Sequence, residues 1–257
     1  MLRSLKSSLT KLTRSSSIVL VNKARPNADA PMNIEVRKID EQVFELSVDT
    51  LQTVNWLTAI ATLQETIGIN NAIELLLCPS VAPLLTLPAS QVALSKDEWQ
   101  AYANHQFSQV LGDISAEFVI ELESHYRKNR IATALPRRLV EFVKNKPQIH
   151  LVPLFQWAWN KSVYSFANQK TWALVSWAEE VQPLFVDENG SLNLLPATYV
   201  PDLSLKNVNE LSERLLSLNS VNIDFDQQVW IEVCTKRRGS IEKYPGWHHE
   251  QLELIRK

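Results

Sequence analysis

Few residues in this 257-residue chain have types and spacings that could do chemistry. Glu121, Glu123 and His125, in EFVIELESH, stand at i, i+2 and i+4. Alternate positions of a strand share one face, so two carboxylates and an imidazole could hold a divalent cation there. Asp40, Asp49, Glu65 and Asp187 could, if gathered, bind two metal ions for phosphodiester hydrolysis. His248 and His249 in WHHE are the one adjacent histidine pair, and His105 stands in LSKDEWQAYANHQFSQVLG. Each has an ordinary reading. The EFVIEL acids alternate with Phe118, Ile120 and Leu122, as on the wet face of a half-covered sheet. Acids at turns and on surfaces are solvated. Adjacent helical residues point about 100° apart, so one metal rarely takes both histidines and WHHE reads as polar tail. His105 falls away from the Trp99/Phe107/Val110 stripe, and its i±4 neighbours, Ala101 and Gln109, are not metal ligands. The chain carries no readable catalytic motif and calls for no cofactor.

Glycine usage points the same way. Backbone that cradles phosphate needs glycines close together, and Gly68, Gly112, Gly190, Gly239 and Gly246 are scattered. A net charge of −2 supplies no field for nucleic acid, and the basic turns HYRKNR (125–130) and TKRRG (235–239) read as solvated. Cys78 and Cys234 close apolar runs and read as buried thiols in a reducing compartment. No apolar run reaches the roughly 20 residues that span a bilayer, and no secretory signal is read.

The elements that must position these groups follow from periodicity. Strands are predicted at 18–21, 34–39 and 43–48, the last two as a hairpin. A helix follows over 51–67, with Leu51, Val54, Leu57/Thr58, Ala61 and Glu65 along or beside one face, then a buried strand at 72–78. The middle reads as a strand at 84–87, a helix opened by the capping box Ser95/Glu98 and closed by Gly112, a hairpin of 116–122 with 130–135, a helix from Pro136, a strand at 149–152 and a short helix to Trp159. The last third repeats β-β-β-α-β: 170–177, then VQPLFVD and LNLLPATYV around Asn189-Gly190, a helix over 208–218 with Leu211, Leu215 and Leu218 at helical spacing, and a strand at 229–233.

Two β-β-β-α-β runs with an insertion resemble an actin-like fold of two ribonuclease-H-like units. The stretches ELLLCPSVAPLLTLP, LSKDEWQAYANHQFSQVLG, RIATALPRRLVEFV and LVPLFQWAWN resemble the PilM- and GspL-type cytoplasmic assembly proteins of type IV pili and type II secretion systems. The resemblance spans roughly 18–233. It implies an α/β fold with a first unit at 18–78, an inserted segment at 79–168, a shortened second unit at 169–234 and a C-terminal tail at 235–257. The two units should superpose strand for strand. It implies a non-enzymatic scaffold with protein partners in an envelope-spanning machine. The alternative within the same fold is a carboxylate- and Mg-dependent nuclease. The chain departs from the actin-like ATPases at both phosphate turns: NKARPNADAPMN and SWAEEVQP lack glycine, and Glu179 and Glu180 would repel phosphate.

The basic arm at 1–17 supplies the candidate contact residues. Leu2, Leu5, Leu9 and Leu12 form one helical stripe, flanked by Arg3, Lys6, Lys11 and Arg14. A helix this short needs a surface on which to bury its leucines: the body of the domain, a partner helix or an anionic membrane, the alternative being a disordered basic tail. The expectation is a cytoplasmic protein that the arm guides to the inner membrane face or to its assembly partner. Residues 1–28 contain no acid and many Ser, Lys and Arg, so a mitochondrial matrix location is the alternative.

Overall fold

The computed structural model describes residues 17–23, 35–40, 42–48, 56–67, 72–88, 94–123, 129–162, 169–200, 208–234 and 246–254. The described residues form two compact units, one of residues through 123 with 130–154, the other of 129 and 155–254. The basic arm lies outside the described residues, as do Asp49, His125 and the segment TKRRG.

The first unit is built on a five-stranded sheet of order β2-β3-β1-β4-β8. Its strands are β1 (Ser17–Lys23), β2 (Glu35–Asp40), β3 (Val43–Val48), β4 (Ile73–Leu77) and β8 (Ile149–Pro153). The expected hairpin forms, since β2 and β3 are antiparallel. However, β1 pairs with β3, and in parallel, with Ile18 beside Val43. It also pairs in parallel with β4, which pairs in parallel with β8. Strand β8 was expected inside the 79–168 insertion; it belongs to this sheet because β4 is buried along its whole length and needs an apolar partner on its outer side. Val19, Val21, Phe44, Leu46, Ile73, Leu75 and Ile149 point to one face. Helices α1 (Trp56–Ile67) and α3 (Arg137–Val143) pack there. The face α1 buries is Ala59, Ile60 and Leu63. Ala61 and Glu65, expected on the inner stripe, are exposed. The i, i+3, i+7 run Ile60/Leu63/Ile67 carries more apolar area, and each fully buried Ile or Leu contributes about 1.5–3 kcal/mol.

Between β4 and α3 lies a three-stranded antiparallel sheet of order β5-β7-β6. Its strands are β5 (Leu84–Leu87), β6 (Phe118–Leu122) and β7 (Arg130–Pro136). Helix α2 (Lys96–Leu111) covers one face with Trp99, Ala103 and Phe107. Its start is the expected capping box: Glu98 N–H donates to Ser95 Oγ at 3.3 Å and Ser95 N–H donates to Glu98 Oε2 at 2.7 Å. The Ser95 N–H and hydroxyl hold the Glu98 carboxyl below its ordinary pKa. Gly112 ends the helix at φ 60°, ψ −137°, a conformation that side-chain-bearing residues avoid.

The second unit contains helix α4 (Leu154–Lys161) and a sheet of order β11-β10-β9-β13-β14, with β12 also on β10. The strands are β9 (Thr171–Trp177), β10 (Glu180–Val186), β11 (Leu192–Leu194), β12 (Thr198–Tyr199), β13 (Gln227–Cys234) and β14 (Trp247–Glu253). Here β10 is antiparallel to β9, while β13 is parallel to both β9 and β14. The sheets therefore do not match strand for strand: the neighbour of β1 runs parallel to it and the neighbour of β9 runs antiparallel. WHHE is β14, not tail, so the second sheet is not shortened. Only Trp247, Gln251, Leu252 and Leu254 are buried there, an edge-strand pattern too interrupted to read as a strand. Helix α5 (Val208–Leu218) packs on this sheet through Val208, Ser212 and Leu215. Leu218 is 70% exposed.

Candidate functional site

Most residues nominated by type have local structural roles. Asp187 Oδ1 accepts from Asn189 N–H at 2.9 Å and Ser191 N–H at 2.8 Å, fixing the β10–β11 turn with Gly190 at φ 70°. Glu65 is exposed on α1, and Asp40 ends β2. His105 is exposed and bonded to Gln109 one turn on. Arg130, from the basic turn, lies 4.6 Å from the centroid of the Trp99 ring. Cys78 is buried, Cys234 is half-buried, and both are free thiols. Among the described residues no group of three or more His, Cys, Asp or Glu could hold a metal ion, and no helix is long and apolar enough to cross a membrane. Glu121 and Glu123 do share a strand face, and burial raises both carboxyl pKa values, Glu123 to about 7.

The strongest polar constellation was not nominated as a set. Adjacent residues of a strand point to opposite faces, so His248 is exposed while the His249 side chain is 4% exposed. Register places Trp230 beside His249 and Glu232 beside Gln251, with Ser176 on the far side of Glu232. The His249 ring stacks on Trp230 with centroids 4.3 Å apart. Glu232 Oε2 meets His249 Nε2 at 3.1 Å and accepts from Gln251 Nε2 at 2.8 Å. Three tryptophans on the same face each donate an indole N–H: Trp230 to Ser176 Oγ at 2.7 Å, Trp172 to Ser212 Oγ at 3.0 Å and Trp247 to Asn209 Oδ1 at 2.6 Å. His249 Nδ1 and Gln251 Oε1 are buried without a partner. The arrangement fastens β14 to β13 through a carboxylate and locks strands to helix through indoles. The signal that could have exposed it is period-two alternation of Trp, Glu, His and Gln across QQVWIEVC and WHHEQLE.

The β9–β10 connection, SWAEEVQP, lacks glycine. It is a tight turn through Ala178, at φ 49°, and Glu179, whose carboxylate accepts from the Tyr199 hydroxyl.

Fold and site together define a two-unit α/β protein whose polar clusters fasten its sheets. In structure the chain is similar to a protein of Bacteroides thetaiotaomicron with an actin-like ATPase fold and unknown function (TM-score 0.44, 6% identity, covering 72% of this chain and 69% of that one). It is also similar to the cytoplasmic domain of EpsL, an inner-membrane component of the Vibrio cholerae type II secretion system (TM-score 0.43, 10% identity, 74% and 73%). A third similarity is to the PilM–PilN type IV pilus biogenesis complex (TM-score 0.38, 9% identity, 68% and 66%). Scores below 0.5 mark a likeness and no more. No protein-family model matches the chain, and neither does any curated protein.

Proposed function

We propose that the protein is a non-enzymatic scaffold that helps assemble a pilus or type II secretion-type machine, working in the cytoplasm at the inner membrane face. The observation that carries this reading is the placement of the four stretches behind the sequence resemblance. ELLLCPSVAPLLTLP runs from β4 to β5, LSKDEWQAYANHQFSQVLG is the capped α2, RIATALPRRLVEFV is β7 with α3, and LVPLFQWAWN is β8 with α4. They are consecutive structural units rather than scattered matches. The second sheet, of order β11-β10-β9-β13-β14, supports the reading, while the first sheet, with β3 in parallel beside β1, does not repeat that order. The acidic Ala178-Glu179 turn favours a scaffold over a nucleotide-driven motor. Partners are other proteins of the machine, and the arm residues Leu2, Arg3, Leu5, Lys6, Leu9, Lys11, Leu12 and Arg14 are the proposed contact to partner or membrane.

The test has two arms. Deleting the gene in the source organism should abolish pilus display or secretion without loss of the remaining subunits. The purified chain should show no saturable heat with millimolar Mg-ATP. Intact pili and secretion, or clear ATP binding, would sink the reading.

A further inference from the structure

Val110 and Ile114 lie four residues apart where α2 gives way to the 3-10 turn Gly112–Glu117, and they are 63% and 37% exposed. Val110 belongs by spacing with Trp99 and Phe107, yet those two are buried and Val110 is left outside. Two acids border the pair. Asp113 precedes Ile114 and is exposed; Glu117 is half-buried. Residues three apart in a 3-10 helix stand one above the other, so Glu117 follows Ile114. The local sequence has one sign of charge: from Asp97 to Glu123 there are six acids and no Lys or Arg. Arg137 comes in from α3, and its guanidinium donates to Ala116 O at 3.0 Å and Phe118 O at 2.9 Å.

The complementary residues stand at the amino terminus of the same chain. Leu2, Arg3, Leu5 and Lys6 open a segment with no acid before residue 29. The chain passes from the arm into β1 at Ser17, in the same unit as α2. A route of hydrogen bonds joins the two places. Ser17 N–H donates to Ala72 O at 2.8 Å, Ile73 N–H to Gln148 O at 2.8 Å and Ile149 N–H to Lys146 O at 2.9 Å. Lys146 N–H in turn donates to Val143 O, the end of α3, at 2.9 Å. Arg137, at the start of α3, reaches Ala116. Two strand spacings come to about 10 Å, and α3 to about 10 Å more. The stretch from Ala116 back to Val110 adds about another 10 Å. A helix over 2–12 spans about 16 Å and an extended link over 13–16 about 13 Å, so the arm covers the route.

We propose that the amino-terminal half of the arm docks in cis on this patch, with Leu2 and Leu5 against Val110 and Ile114 and with Arg3 and Lys6 beside Asp113 and Glu117. Each segment supplies what the other lacks. A leucine-striped helix this short is marginal in water without a surface, and the patch offers aliphatic side chains at helical spacing with acids beside them. The contact withholds the arm: a partner or membrane must compete with the domain for Leu2 and Leu5. That consequence rests on the scaffold reading above, whereas the docking itself does not.

The test uses the full chain and trypsin, with cleavage after Arg3 and Lys6 followed by mass spectrometry. A synthetic peptide of residues 1–16 sets the unprotected rate. Docking should slow cleavage about tenfold below that rate, because the protease acts on the released fraction. Salt at about 1 M should remove part of the protection. Val110→Asn/Ile114→Asn should restore the peptide rate within about twofold, and Asp113→Lys/Glu117→Lys should do the same through charge repulsion. Leu218→Asn, at an exposed leucine of the second unit, should change nothing. Leu2→Ser/Leu5→Ser alters no described residue and should also lose protection, which keeps the test decisive where a patch variant misfolds. Peptide-like cleavage of the wild type, or protection kept by the leucine variant, overturns the proposal. So does protection that grows with protein concentration, which would mark exchange between copies. Intact pili and secretion after gene deletion, with a protected arm, would remove the scaffold reading and leave the docking. Lost pili or secretion with an unprotected arm would do the reverse.

Discussion

Replacing Glu123 by Gln should stabilise the protein at pH 8 and change little at acid pH. In the unfolded chain this carboxyl releases its proton near 4.5; in the folded chain burial holds it up to about 7. Between those values the folded state binds the extra proton, so stability falls as pH rises through the window and is flat above it. At about 1.36 kcal/mol per pH unit, the full penalty is about 3.4 kcal/mol, an upper figure because the side chain is only half-buried. Glu121 is shifted in the same direction by the same cause, so the slope belongs to both. Gln keeps the shape and removes the charge. Urea unfolding followed by tryptophan fluorescence should show wild type losing stability from pH 5 to pH 8, with the variant less affected and its m-value unchanged. A variant less stable than wild type at pH 8, or an equal effect at both pH values, would show that the carboxylate is satisfied in solution and refute the reasoning.

Two further perturbations probe the polar contacts that fasten the sheets. Glu232→Ala removes the acceptor shared by His249 and Gln251; two buried bonds to a carboxylate make a loss of about 3–5 kcal/mol, whereas replacing Glu232, His249 and Gln251 together by Leu should come close to neutral. A loss below about 1 kcal/mol in the single variant, read from the urea midpoint, would mean the cluster is not the fastening of β14. Arg137→Ala frees the Ala116 and Phe118 carbonyls; it should cost about 1–2 kcal/mol and open the β6 edge, giving concentration-dependent self-association by light scattering, while a strictly monomeric variant would show that the edge needs no guard.

Legibility in the sequence tracked how local the determining physics was. The α2 boundaries were readable because a capping box and a terminal glycine act within four residues. The β10–β11 turn was readable because Asp187, Asn189 and Gly190 define it among themselves. Strand β14 was not, because its burial comes from register with β13, and WHHEQLE alone is mostly polar. The inward face of α1 was misread because Ala61 and Ile60 look alike in a periodic count, and only the packed sheet selects Ile60. Helical spacing groups Leu218 with Leu211 and Leu215, yet Leu218 is exposed and Ser212 is buried, accepting from Trp172. The Glu232 cluster joins residues 17 to 19 apart in sequence, and no local rule brings them together. Residues 1–16 of the arm lie outside the described residues, and its proposed role stands on its leucine and basic pattern.

The contrast between the two sheets follows from the length of one connection, and that can be tested. Strands β9 and β10 are joined by Ala178 and Glu179 alone, and so short a link leaves only antiparallel neighbours. Strands β1 and β2 are joined by residues 24–34, which frees β2 to pair outside β3 while β3 takes the place beside β1. Lys23 pairs with Val48 and Glu35 with Ser47, so the connection starts and finishes at the same end of the sheet. It has only to cross β3, about 10 Å at the usual strand spacing. About four extended residues cover that distance at roughly 3.3 Å each. Deleting residues 26–30 leaves six, which still reach, and the shorter loop should stabilise by about half a kcal/mol through reduced closure entropy. Replacing all of 24–34 by Asn-Gly should instead force β2 against β1, where β3 belongs, and put Phe44 and Leu46 out of register with α1. The expected result is a folded first variant with a thermal midpoint at or slightly above wild type, and a second variant that is insoluble or lacks cooperative unfolding. If the two-residue link folds with an unchanged midpoint, connection length does not select the parallel β1–β3 pairing, and the cause must lie in the strands themselves.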